Sequence, residues 1–108
     1  MNQDHLHLAA GNLSRLDTLL EHRTRLGACV LLSTADALSF SRLLDLLEET
    51  NGNLGAHLHK LEDAGYIAAD KQFVTGKPLT TYTLLPPGRK ALKAHLEALQ
   101  GLIRTSFA

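Results

Sequence analysis

Leucines recur along this chain at helical spacing, and in one stretch that spacing gives way to a period of two. Leu13, Leu16 and Leu20 stand at i, i+3 and i+7, which predicts a first helix from about Asn12 to Leu20. A second helix is expected from about His22 to Ser33, with Leu26, Cys29, Val30 and Ser33 on one side and the small Gly27 and Ala28 permitting close approach. Ala37 to Phe40 partly alternates and predicts a stub of strand. Ser41 then reads as the N-cap of a short helix, Arg42 to Glu49, that carries Leu43, Leu44 and Leu47. Thr50-Asn51-Gly52 breaks the pattern. Leu54, Leu58 and Leu61 define the next helix, which Gly65 ends in a left-handed conformation.

After Gly65 the period becomes two. Tyr66–Val74 and Leu79–Leu85 are rich in β-branched and aromatic residues and flank Thr75-Gly76-Lys77-Pro78, so they predict a hairpin with a basic tip. Pro86-Pro87 suit the first turn of a last helix, where a missing N–H is tolerated, and Leu92, Leu96, Leu99 and Ile103 form its stripe. The expected order is α-α-β-α-α-β-β-α, a mainly α chain with a small β-hairpin.

Composition narrows the function classes. The chain has 108 residues, 44% of them hydrophobic, which suits one compact domain over 1–108 and excludes disordered or collagen-like classes. A single Cys cannot form an internal disulfide, and with no leader pattern and no apolar run near the ~20 residues of a membrane span, a cytoplasmic protein with reduced Cys29 is expected. Charge is balanced overall but polarised: residues 36–65 hold two basic and six acidic side chains, whereas 66–93 hold five basic and one acidic. Any nucleic-acid contact must therefore rest on a local patch. There is no Gly-rich phosphate loop, no Gly-x-Ser-x-Gly and no His-Glu-x-x-His, so no enzyme activity is expected. His57 and His59 diverge by about 200° on a helix. His5 and His7 fall in a terminus expected to fray, and Cys29 has no second thiol nearby, so neither a metal nor another cofactor is predicted.

A helix-turn-helix followed by a basic hairpin is the winged-helix plan, in which the second helix enters the major groove and the hairpin, or wing, touches the backbone. The run Thr50-Asn51-Gly52-Asn53-Leu54-Gly55-Ala56-His57-Leu58-His59-Lys60-Leu61-Glu62-Asp63-Ala64-Gly65-Tyr66-Ile67 resembles the Gly-Asn-Leu-Ser-x-His-Leu-x-x-Leu-Glu-x-Ala-Gly-Tyr run of small stand-alone winged-helix regulators related to the MarR and ArsR types. Lys71-Gln72-Phe73, Lys77-Pro78-Leu79-Thr80-Thr81-Tyr82-Thr83-Leu84 and Gly88-Arg89 resemble that family's following elements in order, and the likeness spans Asp17 to Leu99. It implies a helix-turn-helix over about 41–65, a wing over about 66–85 and terminal helices over about 12–20 and 86–104 that pair two copies. It implies further a sequence-specific, double-stranded-DNA-binding transcriptional regulator, a repressor, acting as a homodimer with recognition helix 51–64 in the major groove and wing 71–81 on the backbone. Two departures stand out. Gly55 replaces the family's usual Ser, and Leu85 stands where Thr commonly caps the last helix.

With Leu54, Leu58 and Leu61 inward, a step of about 100° per residue turns Gly52, Ala56, Lys60 and Asp63 outward, with Asn53 and His59 flanking them. Asn53 and Lys60 are the best candidate readers, since Asn can pair with adenine and Lys can donate to guanine or phosphate. Asn51 stands beside them at the helix start, and Ala56 offers a thymine-methyl contact. Lys71, Lys77 and Arg89 are candidate phosphate contacts, with Thr80 and Ser41 as hydroxyl donors, and the resemblance implies that His57 approaches the DNA backbone. For each the ordinary reading stands alongside: helix capping for Ser41 and Asn53, solvation for the lysines, strand chemistry for Thr80, core packing for His57. Leu13, Leu16, Leu20, Leu92, Leu96, Leu99 and Ile103 are the candidate dimer interface, the alternative being that both stripes pack onto the chain's own core. A small-molecule effector could lodge between such helices, although no convergent polar cluster identifies it. The rival function is a winged-helix protein-interaction module without DNA binding.

Overall fold

A computed structural model describes residues 3–107. The elements are α1 (Gln3–Ser14), a 3-10 turn (Thr18–Glu21), α2 (Arg23–Thr34), β1 (Leu38–Ser39), α3 (Phe40–Leu47), α4 (Asn51–Asp63), β2 (Ile67–Val74), β3 (Lys77–Leu84) and α5 (Pro86–Phe107). This is the mainly helical order with a small antiparallel sheet that the hydrophobic pattern predicts.

The first helix departs most from expectation, running from Gln3 to Ser14 rather than starting near Asn12, so that His5 and His7 lie inside it. Polar residues and Gly11 interrupt any leucine stripe there, and the helix is held by packing along α5 instead. A methyl group on Gly101 would lie 2.5 Å from the Asn12 side chain, so the bare glycine is what lets the two helices approach. The Leu13–Leu16–Leu20 stripe is consequently not one helical face. Leu13 is near the end of α1, Leu16 sits in a bend, and the 3-10 turn, capped by Asp17, carries Leu20 fully into the core.

The third helix also starts earlier. Ser39, not Ser41, is its N-cap, and its Oγ accepts the Arg42 N–H at 3.1 Å. Pairing of Leu38 with Tyr82 and of Ser39 with Thr81 holds Ser39 extended, which is the backbone an N-cap requires. Ser41 is left exposed in the first turn of α3.

The sheet order is β1-β3-β2, all antiparallel. Between β2 and β3 the turn is shorter than expected: Val74 already pairs with Lys77, and Thr75 and Gly76 both have positive φ, 50° and 78°. Two left-handed residues make a type I′ turn, whose twist matches that of the flanking strands. At the other end of α4, Gly65 adopts φ 77°, the left-handed stop expected there.

Leu32, Leu43, Leu54, Leu58 and Leu61 form the core together with Leu20, Ile67, Tyr82 and Leu92. Leu20 and Leu92 are thus occupied within this chain and are not on offer to a second copy, contrary to expectation. The molecule measures 63 × 25 × 21 Å, with a radius of gyration of 16.6 Å. A compact chain of this length would have about 13 Å. The excess comes from α1 and the 22-residue α5, which form a two-helix stem extending from the winged body.

Candidate nucleic-acid interface

The helix pair is set locally. Glu48 closes α3 in the left-handed conformation (φ 51°), and Thr50 caps α4 by accepting the Asn53 N–H at 3.3 Å. The α4 leucines at 54, 58 and 61 are buried, whereas Asn51, Gly52, Asn53, Ala56, His59, Lys60 and Asp63 are exposed. Candidate readers Asn53, Ala56 and Lys60 therefore share one open face, while Asn51, exposed in the first turn, lies round the helix from them. A Cβ at Gly52 or Gly55 would meet nothing within 4 Å, so the first half of α4 shows bare backbone to solvent. Asn53 is not free: its Nδ2 donates to Glu49 Oε1 at 3.3 Å. Glu49 also accepts Thr24 Oγ1 at 2.6 Å and the Thr50 N–H at 3.2 Å, and these hydrogen bonds, the Thr24 bond foremost, hold its carboxyl below the usual range.

His57 is half-buried beside α4's open face and belongs to a cluster that no sequence period reveals. Its ring lies 4.0 Å from that of His22, centroid to centroid, and Arg25 Nη1 donates to its Nδ1 at 2.9 Å. Because an arginine only donates, Nδ1 is the acceptor, and the neutral ring carries its proton on Nε2. Burial, then the neighbouring His22 and Arg25, push the His57 pKa below its ordinary value. Arg25 also donates through Nε to the Leu19 carbonyl at 2.6 Å, so α2 braces α4 against the 3-10 turn. Arg25, His22 and Glu49 were not expected at this site; the Thr24–Glu49, Arg25–His57 and His22–His57 contacts that place them join residues 25 or more apart.

On the wing, Lys71 stands opposite Thr80 and Lys77 opposite Val74. β1 reaches only Thr81 and Tyr82 of β3, so these residues lie on a two-stranded overhang. Both lysines are exposed and Thr80 is half-buried. A shallow cleft lined by Phe40, Ser41, Pro78, Leu79 and Thr80 brings Ser41 and Thr80 together where α3 meets the wing. Arg89 is not part of this group. It opens with Ser33, Lys93 and Leu96 onto a groove along α5, at the base of the stem. Among the described residues, no group of three or more His, Cys, Asp or Glu is placed to hold a metal ion, and no helix is long and apolar enough to cross a membrane.

A buried junction fixes the wing and helix pair to the stem. The Tyr66 hydroxyl donates to Asp17 Oδ2, and the Asp17 N–H donates to Nδ1 of buried His95 on α5 at 2.9 Å. Leu85 N–H donates to the Tyr66 carbonyl at 2.9 Å, and a Cβ at Gly88 would come within 2.2 Å of that oxygen. Burial, then the Asp17 bond, raise Tyr66 to about 12; burial, then the Asp17 charge, raise the Cys29 thiol to about 11. A cysteine so placed is a packing residue rather than a reactive one.

Two helices joined by a tight turn, then a three-stranded sheet whose hairpin projects with lysines near its tip, define a winged helix. The chain belongs to the winged helix DNA-binding domain family, whose model matches residues 24–103. It is similar to protein MJ0432 of Methanocaldococcus jannaschii, at 37% identity over 62 residues, or 56% of this chain and 67% of that protein. Its structure is similar to that of a transcriptional regulator homologue from Pyrococcus horikoshii OT3, with TM-score 0.77 and 27% identity over 83% of this chain and 89% of the other. The fold is shared with a MarR family transcriptional regulator from Streptomyces coelicolor solved in complex with DNA, with TM-score 0.67 and 16% identity over 97% of this chain and 70% of the other. An ArsR family transcriptional regulator shares it too, with TM-score 0.53 and 23% identity over 96% of this chain and 95% of the other.

Proposed function

We propose that this chain is a sequence-specific, double-stranded-DNA-binding transcriptional regulator that acts as a homodimer, with α4 in the major groove and the β2–β3 wing on the backbone. The observation that carries this reading is the open face of α4, with Asn53, Ala56 and Lys60 exposed together and Asn51 exposed at the helix start, in a fold whose wing adds Lys71 and Lys77. Asn53 and Lys60 read bases or adjoining phosphates. The wing lysines neutralise phosphates, and the His57 Nε2–H is a donor at the edge of the groove. Ser41 and Thr80 supply hydroxyls to one phosphate where α3 meets the wing. Arg89 has a different role in this reading, because it faces the stem groove.

The stem supports pairing of two copies. Leu13, Leu96 and Ile103 are 57%, 42% and 59% exposed, and Phe107 is 84% exposed, so both stem helices carry large apolar side chains that the chain leaves uncovered. A homodimer that reads successive major grooves needs its two recognition helices about 34 Å apart, one turn of duplex. Repression by occlusion of a promoter is the regulatory mode that needs no surface beyond these. Selection of duplexes from a random pool by the purified chain, read by sequencing, tests the reading. Enrichment of an inverted repeat with half-sites about 10 base pairs apart is the expected result. No enrichment over the input pool, together with capture of a protein partner, would instead favour the interaction-module reading.

A further inference from the structure

The wing ends in apolar side chains that the fold does not cover. Phe73 is 79% exposed, Val74 47% and Leu79 36%, and Pro78, which stands opposite Phe73, is exposed as well. The strand pairs from Lys71–Thr80 to Val74–Lys77 lie beyond the last pairing of β1, so they form a two-stranded ribbon of about 14 Å, with Phe40 and Ser41 of α3 facing Pro78, Leu79 and Thr80 across a cleft. Alternation places Phe73 on the same face as Lys71, while Val74 and Lys77 share the opposite face. The two ammonium groups therefore flank the tip on its two sides.

Resting on the DNA-binding reading above, we infer that the wing tip is an apolar wedge for the minor groove, with Phe73 entering against a flexible base step while Lys71 and Lys77 hold the phosphates of the two groove walls. The dimensions agree. The minor groove is about 6 Å wide and 7.5 Å deep, and strands in a ribbon are about 4.8 Å apart, so a tip closed by a two-residue turn can enter where a broad face cannot. Charge selects the occupant. Asp70 is the sole carboxylate between Tyr66 and Leu85, and it sits inward of the tip, bonded by Gln72 Nε2 at 2.9 Å. Two wings packed on each other would converge four lysines with no carboxylate at the tip, whereas a groove lined by phosphates neutralises them. An apolar side chain at a base step unstacks it and bends the duplex, so sequence is sensed through deformability as well as through hydrogen bonds. That suits a recognition helix whose reading side chains are few, since Gly52, Gly55 and Ala56 occupy its first half.

The chain has no tryptophan, so Phe73→Trp creates a single reporter at the wing tip of this chain. It is titrated with a duplex recovered from the random-pool selection, alongside anisotropy of the same duplex fluorescein-labelled. The wedge predicts strong quenching of the tryptophan and protection from acrylamide on binding. It predicts about a tenfold loss of affinity for Phe73→Ala with unchanged salt dependence. It also predicts a salt slope reduced by about one for Lys77→Ala. Anisotropy that rises while the tryptophan stays bright and acrylamide-accessible overturns the wedge and leaves DNA binding standing. Emission that changes with protein concentration alone overturns it in favour of self-association through the tip. No anisotropy change at low salt, with a generic duplex as well, removes the DNA-binding reading and the wedge with it.

Discussion

The winged body and the two-helix stem are written in the same leucine-rich vocabulary and use it to opposite ends. In the body, Leu43, Leu54, Leu58 and Leu61 fall to 1% exposure or less, because α2, α3, α4 and the sheet close around them. In the stem, Leu6, Leu8, Leu13, Leu96 and Ile103 stay between 42% and 59% exposed: α1 packs mainly along α5, and α5 meets the body chiefly through α2 and residues such as Leu92 and His95. A stripe of leucines thus announces a face that needs cover without saying who provides it. The body is covered from within, and the stem is left with the surface that pairing of two copies would bury.

The contrast can be broken most sharply by truncation. Leu58→Ala, which opens a hole in a closed core, is expected to cost about 2–5 kcal/mol, whereas Leu13→Ala on the stem should stay within about 0.5 kcal/mol. Urea denaturation of both variants at one dilute concentration checks this, and equal losses would mean that the stem is as closed as the body. Gly88→Ala forces a methyl against the Tyr66 carbonyl at the root of the body, at an expected cost of about 1–3 kcal/mol, read as a lowered thermal midpoint.

A pH titration separates the regions next. The Tyr66 and Cys29 values, raised to about 12 and about 11 from ordinary values of 10.0 and 9.0, mean that the folded state holds these protons more tightly than the unfolded chain. The stability they contribute is fully present below pH 9 and is lost as pH climbs toward 12. Tyr66→Phe with Cys29→Ala should flatten that alkaline decline; an unchanged decline would move its origin elsewhere. The smallest effect is expected at Gly55, where a methyl meets nothing within 4 Å. Gly55→Ala should stabilise the fold by about 0.5–1 kcal/mol by improving helix propensity. It should nonetheless weaken DNA binding if bare backbone approaches the duplex there. Stabilisation with unchanged affinity would exclude that approach.

What could be read from the sequence was what neighbouring residues decide. Helix α4 follows from three leucines and a glycine stop, and the wing from alternation around Thr75-Gly76. The misreadings have a common cause in distant partners. Serines at 39 and 41 are chemically equal caps, and pairing of β1 with β3, some 40 residues later, chooses Ser39. Helix α1 is placed by packing along α5, where Gly101, some 90 residues later, faces Asn12. Leu20 looked like interface because it continues a period, yet the 3-10 turn at Asp17 rotates it inward. The Arg25–His57 and Asp17–His95 contacts, 32 and 78 residues apart, leave no periodic trace. In the candidate interface, the outward set on α4 was legible from geometry alone, while Glu49 holding Asn53 was not.

The most direct test of the account is the salt dependence of binding to a labelled duplex, measured by anisotropy for the native chain and Lys77→Glu. Affinity that falls steeply and linearly in log salt, with a shallower slope and weaker binding for the variant, is the predicted result. Binding that ignores salt and is indifferent to residue 77, or no binding at low salt, would contradict a duplex held between the open face of α4 and a cationic wing.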